Sequence, residues 1–136
     1  MVSSYESNLW VSGSTFDNCE ATKSGGILFS YSCNVDIDTS TFTNFFGSTG
    51  IVLEQSETLT ITDSSFSDGG SESFNGGALR LDMVDYFEVT GSTFYDLRAQ
   101  KGGAFYFCSC SSNSYIICGN NFTRCNASRG GAILNG

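Results

Sequence analysis

Leu59-Thr-Ile-Thr-Asp-Ser-Ser-Phe66 is one of five eight-residue segments that align without gaps along this chain. The others are Leu9-Trp-Val-Ser-Gly-Ser-Thr-Phe16, Val35-Asp-Ile-Asp-Thr-Ser-Thr-Phe42, Phe87-Glu-Val-Thr-Gly-Ser-Thr-Phe94 and Tyr115-Ile-Ile-Cys-Gly-Asn-Asn-Phe122. Their common pattern is apolar-x-apolar-x-x-Ser/Asn-x-Phe, and successive closing phenylalanines lie 26, 24, 28 and 28 residues apart. A second block follows each of them: Gly25-Gly-Ile-Leu-Phe29, Thr49-Gly-Ile-Val-Leu53, Gly76-Gly-Ala-Leu-Arg80, Gly102-Gly-Ala-Phe-Tyr106 and Gly130-Gly-Ala-Ile-Leu134. The apolar runs keep their length while the stretches between them vary, as strands and their connections do.

One such unit has too little apolar surface to form a core alone, but stacked units bury it jointly. A period near 26 accommodates three short strands and their corners, so the expected architecture is an all-β solenoid of about five turns, ending in a partial turn, and a single segment over residues 1–136. A sandwich of β-hairpins fits less well, because the same residue types return once per repeat. Alternation points Leu9 and Val11, Val35 and Ile37, Leu59 and Ile61, Phe87 and Val89, and Tyr115 and Ile117 inward. The parity slips at a bend, which brings Ser14, Ser40, Ser64, Ser92 and Asn120 inside together with Phe16, Phe42, Phe66, Phe94 and Phe122. The hydroxyls and the amide are expected to satisfy buried corner amides, and the rings to stack at about the strand spacing of 4.8 Å.

Composition agrees with this reading. The chain has 16 Gly, 12 Phe and no Pro, and no stretch with helical periodicity. Its formal charge is −8, and its basic residues (Lys23, Arg80, Arg98, Lys101, Arg124, Arg129) form no stripe, which argues against a nucleic-acid partner. No apolar run is long enough for a transmembrane helix, and the first ten residues lack the features of a signal peptide. Six cysteines (Cys19, Cys33, Cys108, Cys110, Cys118, Cys125) are compatible with an oxidising compartment. Two N-x-S/T sequons, at Asn121 and Asn126, make those asparagines candidate N-glycosylation sites, so the expected location is secreted or cell-surface.

The segments Phe16-Asp-Asn-Cys-Glu-Ala21 and Phe122-Thr-Arg-Cys-Asn-Ala127, with the Gly-Gly-Ala blocks at 76, 102 and 130, resemble the repeats of chlamydial polymorphic outer membrane proteins. They are also similar to β-helix surface proteins of ciliates and other protists. The resemblance implies a right-handed parallel β-helix of the pectin-lyase-like superfamily, with a role as adhesin, surface coat, fibre component or passenger domain. The bacterial repeats favour Asn three residues after the Phe, where this chain has Cys19, Phe45, Gly69, Leu97 and Cys125, so the likeness leans towards the protist group.

A carbohydrate-binding or carbohydrate-active domain is the alternative. Absence of His removes any mechanism with an imidazole acid, base or ligand. Asp36 and Asp38 are outward neighbours that could act as a carboxylate pair. Asp82, Asp85 and Glu88 come closest to a cation site, with a solvated acidic loop as the plainer interpretation. No cofactor, metal or catalytic residue is expected. Cys108-Ser-Cys110 with Cys118 lacks zinc spacing, and a disulfide from Cys108 or Cys110 to Cys118 would staple the connection 108–114. Outward positions of the first aligned strand are too irregular for an ice-binding array.

Two surface expectations concern partners. The first strand is placed at Leu9 and neither end carries an obvious cap, which suggests a piece of a longer chain or a subunit stacking end to end. After each Gly-Gly pair, Leu28, Val52, Leu79, Phe105 and Ile133 are taken as inward, leaving Phe29, Leu53, Arg80, Tyr106 and Leu134 as an outward stripe. Its partners would be a second copy, a neighbouring domain or a glycan, or a long connection would fold over it.

Overall fold

The computed structural model describes residues 2–22, 26–110 and 115–136. Gly25, and residues 111–114 of the connection considered for the disulfide, lie outside them. The described residues wind through about five turns, the first four of three strands each. The first turn holds β1 (Val2–Tyr5), β2 (Asn8–Ser12) and β3 (Thr15–Glu20), the second β4 (Leu28–Tyr31), β5 (Asn34–Asp38) and β6 (Thr41–Phe46). The third holds β7 (Ile51–Glu54), β8 (Thr58–Thr62) and β9 (Ser65–Asn75), the fourth β10 (Leu79–Asp82), β11 (Tyr86–Thr90) and β12 (Thr93–Lys101). The fifth holds β13 (Phe105–Cys108), β14 (Tyr115–Cys118), β15 (Asn121–Thr123) and β16 (Asn126–Arg129), and β17 (Ile133–Asn135) begins a sixth. Equivalent strands pair in parallel, giving a first sheet β1-β4-β7-β10-β13-β17, a second β2-β5-β8-β11-β14 and a third β3-β6-β9-β12-β15, with β16 also on β12.

Corners are made by single residues in the left-handed region. One column of them is Asn18, Asn44, Asp68 and Asp96, which bend β3, β6, β9 and β12 from within, and Arg124 between β15 and β16, with φ between 49° and 55°. That conformation costs a non-glycine residue about 1–2 kcal/mol, least for Asn and Asp, which hold four of these five places. Hydrogen bonding continues through the corners: the Ser32 amide donates to the Glu54 carbonyl at 3.2 Å and the Asp63 amide to the Thr90 carbonyl at 3.1 Å. Gly77 has a different reason to be glycine, since a Cβ there would overlap the Gly103 carbonyl of the next turn.

Both interior ladders form. Phe16, Phe42, Phe66, Phe94 and Phe122 stack with centroids 5.0, 4.5, 5.1 and 5.0 Å apart and planes within 13° of parallel. Beside them, the Ser14 amide donates to Ser40 Oγ (3.2 Å), the Ser40 amide to Ser64 Oγ (3.1 Å), the Ser64 amide to Ser92 Oγ (3.0 Å) and the Ser92 amide to Asn120 Oδ1 (2.8 Å). Ser40, Ser64 and Ser92 each donate in turn to the carbonyl two residues back, so each buried hydroxyl is spent twice.

Two expectations about the strands are corrected. The first strand is not at Leu9, because β1 precedes it and pairs with β4. Leu53 does not face outward: Leu28 and Leu79 both align with Ile51, and Phe29 and Arg80 with Val52, so Leu53 is fully buried and the outward residue of β7 is Val52. The expected register would have put the Glu54 carboxylate into the core, at a cost of several kcal/mol. A shift of one residue instead turns Glu54 outward, 3.7 Å from the Arg80 guanidinium.

Candidate functional site

On the outer face of the first sheet the aligned column runs Phe29, Val52, Arg80, Tyr106 and Leu134. Phe29, Arg80 and Tyr106 are half-buried and Val52 is covered. Arg80 interrupts the apolar run, with its guanidinium 2.5 Å from Asp82 and also near Glu54. Lys101 Nζ lies 5.7 Å from the centre of the Tyr106 ring. Burial, reinforced by the Cys108 thiol, pushes the Tyr106 phenol up from its ordinary value. Within one chain, then, the stripe is largely consumed by its own neighbours.

The carboxylates are similarly occupied. Asp38 accepts from Ser12 Oγ (3.4 Å), Thr39 Oγ1 (3.2 Å) and Thr62 Oγ1 (3.0 Å), while Asp36 stands exposed between Trp10 and Thr60 of the adjoining strands. Asp82 takes Arg80 and the Cys108 thiol (2.8 Å), and Glu88 takes the Tyr86 hydroxyl (2.9 Å). Asp82 belongs to the first sheet and Glu88 to the second, so the corner between them separates what the sequence places close. No group of three metal-ligating side chains converges among the described residues.

The six cysteines are free thiols in this structure, with no bond from Cys108 or Cys110 to Cys118. Cys108 points out from the first sheet towards Asp82, Cys110 packs against the core, and Cys118 is exposed on the second sheet. Burial pushes the Cys110 and Cys125 thiols up, and burial together with the Asp82 carboxylate does the same to Cys108. Cys33 departs downward: burial would raise it, but the neighbouring Ser30 and Ser4 hydroxyls, Ser4 Oγ at 3.3 Å, outweigh that and favour the thiolate. Both sequon asparagines are exposed, Asn121 opening β15 and Asn126 opening β16.

The feature that sequence reasoning missed lies on the third sheet, beyond the left-handed corner. Phe46, Gly70, Arg98 and Asn126 form one outward column across four turns. Gly70 leaves a gap in it, a notch of about 320 Å³ between Phe46 and Arg98, with the corner residues Asp68 and Asp96 alongside. Next to it Glu72, Ser73 and Phe74 of β9 stand opposite the single residue Gln100 of β12, a bulge where the register between the two strands breaks. The signal was available in the third repeat, where Gly69-Gly70 stands in the register of Phe45-Phe46.

Stacked parallel strands with one ladder of residue types per corner are matched by a single family description. The model of the right-handed β-helix region fits residues 2–136. The chain belongs to the right-handed β-helix family. No curated protein and no solved structure matches it significantly. No helix among the described residues is long and apolar enough to cross a membrane.

Proposed function

We propose that this β-helix is a structural or adhesive element of the cell surface or of a secreted assembly, acting by presenting its outer faces and not by catalysis. The observation that carries this reading is the contrast between inside and outside. Every turn repeats the same interior Ser/Asn and Phe positions, whereas the equivalent outward column Trp10, Asp36, Thr60, Glu88 and Ile116 changes character at each step. A repeating frame with non-repeating decoration suits a display surface. Adhesion also draws on the resemblance of the Phe-x-x-Cys and Gly-Gly-Ala repeats to those of surface β-helices. Its partners would be further copies of itself, neighbouring domains or glycans. Exposed sequons support a secretory route.

Two measurements test the proposal. Antibody raised to the chain should label intact, unpermeabilised cells or their culture medium; label confined to the interior would overturn the location. Polygalacturonate, xylan and chitin should be left uncut. Turnover of any of them that disappears in Asp36→Asn or Asp38→Asn would replace a display role with an enzymatic one.

A further inference from the structure

We infer that the notch at Gly70, with the groove continuing from it across β12, is a binding site for a neutral oligosaccharide. The inference deepens the adhesive reading by naming a ligand class and a place. Phe46 forms one wall and is 49 % exposed, whereas Phe42, Phe45, Phe66 and Phe94 of the same sheet are fully buried. Its uncovered ring offers the flat apolar face on which the C–H face of a pyranose packs. Gly70 forms the floor. It has φ +94°, and a Cβ there would overlap the Arg98 carbonyl, so the backbone itself keeps the gap empty. Across the gap stands Arg98, exposed and with no carboxylate within ion-pair distance among the described residues. Asp68 on the near side is exposed and has no hydrogen-bond partner for its carboxylate there, whereas Asp96 is held by Arg124 at 3.0 Å. A free carboxylate that accepts and a free guanidinium that donates, on either side of an aromatic wall, are complementary to vicinal hydroxyls.

The surroundings select among ligands. A peptide strand has nothing to pair with, because β9 already pairs with β6 and β12 on both sides. Polyanions are disfavoured by the net charge of −8 and by Asp68, Asp96 and Glu72 around the groove. Arg98 also lines the neighbouring hollow of about 550 Å³ bounded by Glu72, Arg124 and Asn126. From Phe46 to Asn126 is three strand spacings, about 14 Å, which suits a short chain running along the solenoid axis better than a single sugar.

The test is calorimetric titration of the full chain, produced without N-glycans, with cellohexaose, xylohexaose, mannohexaose and chitohexaose, and with hexagalacturonate as the anionic control. Saturable binding of at least one neutral hexasaccharide is expected, weakened about tenfold or more by Phe46→Ala and by Arg98→Ala. Phe46→Leu and Arg98→Lys keep bulk and charge but lose the ring face and the guanidinium fork, and should weaken binding while leaving the thermal melt unchanged. No neutral binding, binding of hexagalacturonate alone, or wild-type affinity in all four variants would overturn the assignment. Any of these results would leave surface labelling untouched, and interior-only labelling would leave the binding data untouched, so this site and the adhesive reading fail separately.

Discussion

The Phe45 ring lies against the backbone of Gly69, its partner one turn further along the third sheet, so closely that a Cβ on Gly69 would stand 2.5 Å from Phe45 Cζ and 2.6 Å from Cδ2. Phe45 is fully buried, and the column it belongs to runs Cys19, Phe45, Gly69, Leu97, Cys125. A large side chain thus fills the space that its neighbour leaves.

Gly69→Ala should therefore cost about 1–3 kcal/mol by overpacking. Phe45→Ala should cost about 3–5 kcal/mol through lost burial and the cavity left behind. The pair is coupled: once Phe45 is Ala, adding Gly69→Ala should cost far less than it does alone. Urea denaturation of the two single variants and the double variant measures the coupling, and additive costs would mean that the ring is not what constrains position 69.

How far the sequence could carry the fold is visible in this same column. The phenylalanine ladder was legible because Phe16 to Phe122 recur at one place in an ungapped pattern. The column Cys19, Phe45, Gly69, Leu97 and Cys125 aligns in the repeats too, but the packing of Phe45 on Gly69 was not legible, because the column's members differ in type and only their summed volume is constrained. Leu53 was misplaced for a related reason: counting from the glycine blocks assumes an equal path into each strand, and the third turn takes a path one residue different. A carboxylate decided that register, not the apolar pattern. The notch at Gly70 escaped because it consists of a missing side chain in an aligned column, and outward columns have no repeating type against which a gap would show.

The serine ladder carries a second expectation. Ser64 Oγ accepts from the Ser40 amide and donates to the Thr62 carbonyl at 2.8 Å, at a position only 3 % exposed. Ser64→Ala would leave the Ser40 amide unpaired in the interior, while the Thr62 carbonyl keeps the Thr39 amide at 3.1 Å, and should cost about 1–3 kcal/mol. Ser14 donates to the Ser12 carbonyl and its hydroxyl receives no amide among the described residues, so Ser14→Ala in this chain should cost about 1 kcal/mol or less. Equal losses of thermal stability in the two variants would show that the ladder is not what the hydroxyls contribute.

Alkali should loosen the solenoid through its thiols. Cys108, Cys110 and Cys125 are all raised in the folded chain, chiefly by burial, so folding favours their protonated forms. That contribution is intact below the ordinary thiol value, about pH 8.5, and is lost as the pH climbs through it towards the raised folded values. The melting temperature should hold at neutral pH and fall above about pH 9, less steeply when Cys110 and Cys125 are both replaced by Val. Alkylation near neutral pH followed by mass spectrometry gives the same ordering by another route: exposed Cys118 should be labelled before Cys110 and Cys125. Simultaneous labelling of all three would contradict the burial argument.

Glycosylation offers a prediction that links the sequons to the groove. In a eukaryotic secretory host both asparagines are accessible, and Thr123 Oγ1 of the first sequon already donates to Asn121 Oδ1 at 3.2 Å. A mass shift removable by an N-glycosidase is expected, with Asn121→Gln and Asn126→Gln each abolishing part of it. The two sites should differ in consequence. Asn126 lines the hollow that Arg98 shares with the notch, and pairs with Arg98 directly in the sheet. Asn121 pairs with Thr93 and lies on the other side of the left-handed corner at Arg124. A glycan on Asn126 is tethered beside the very groups assigned to a free oligosaccharide, at a high effective concentration, and should compete with it. Protein carrying a glycan only at Asn121 should bind the neutral hexasaccharide as unglycosylated protein does, whereas protein carrying one only at Asn126 should bind it at least about tenfold more weakly. The two single-Gln variants, purified from the secretory host and titrated side by side, make the comparison; equal affinities would mean that the ligand does not reach past Arg98.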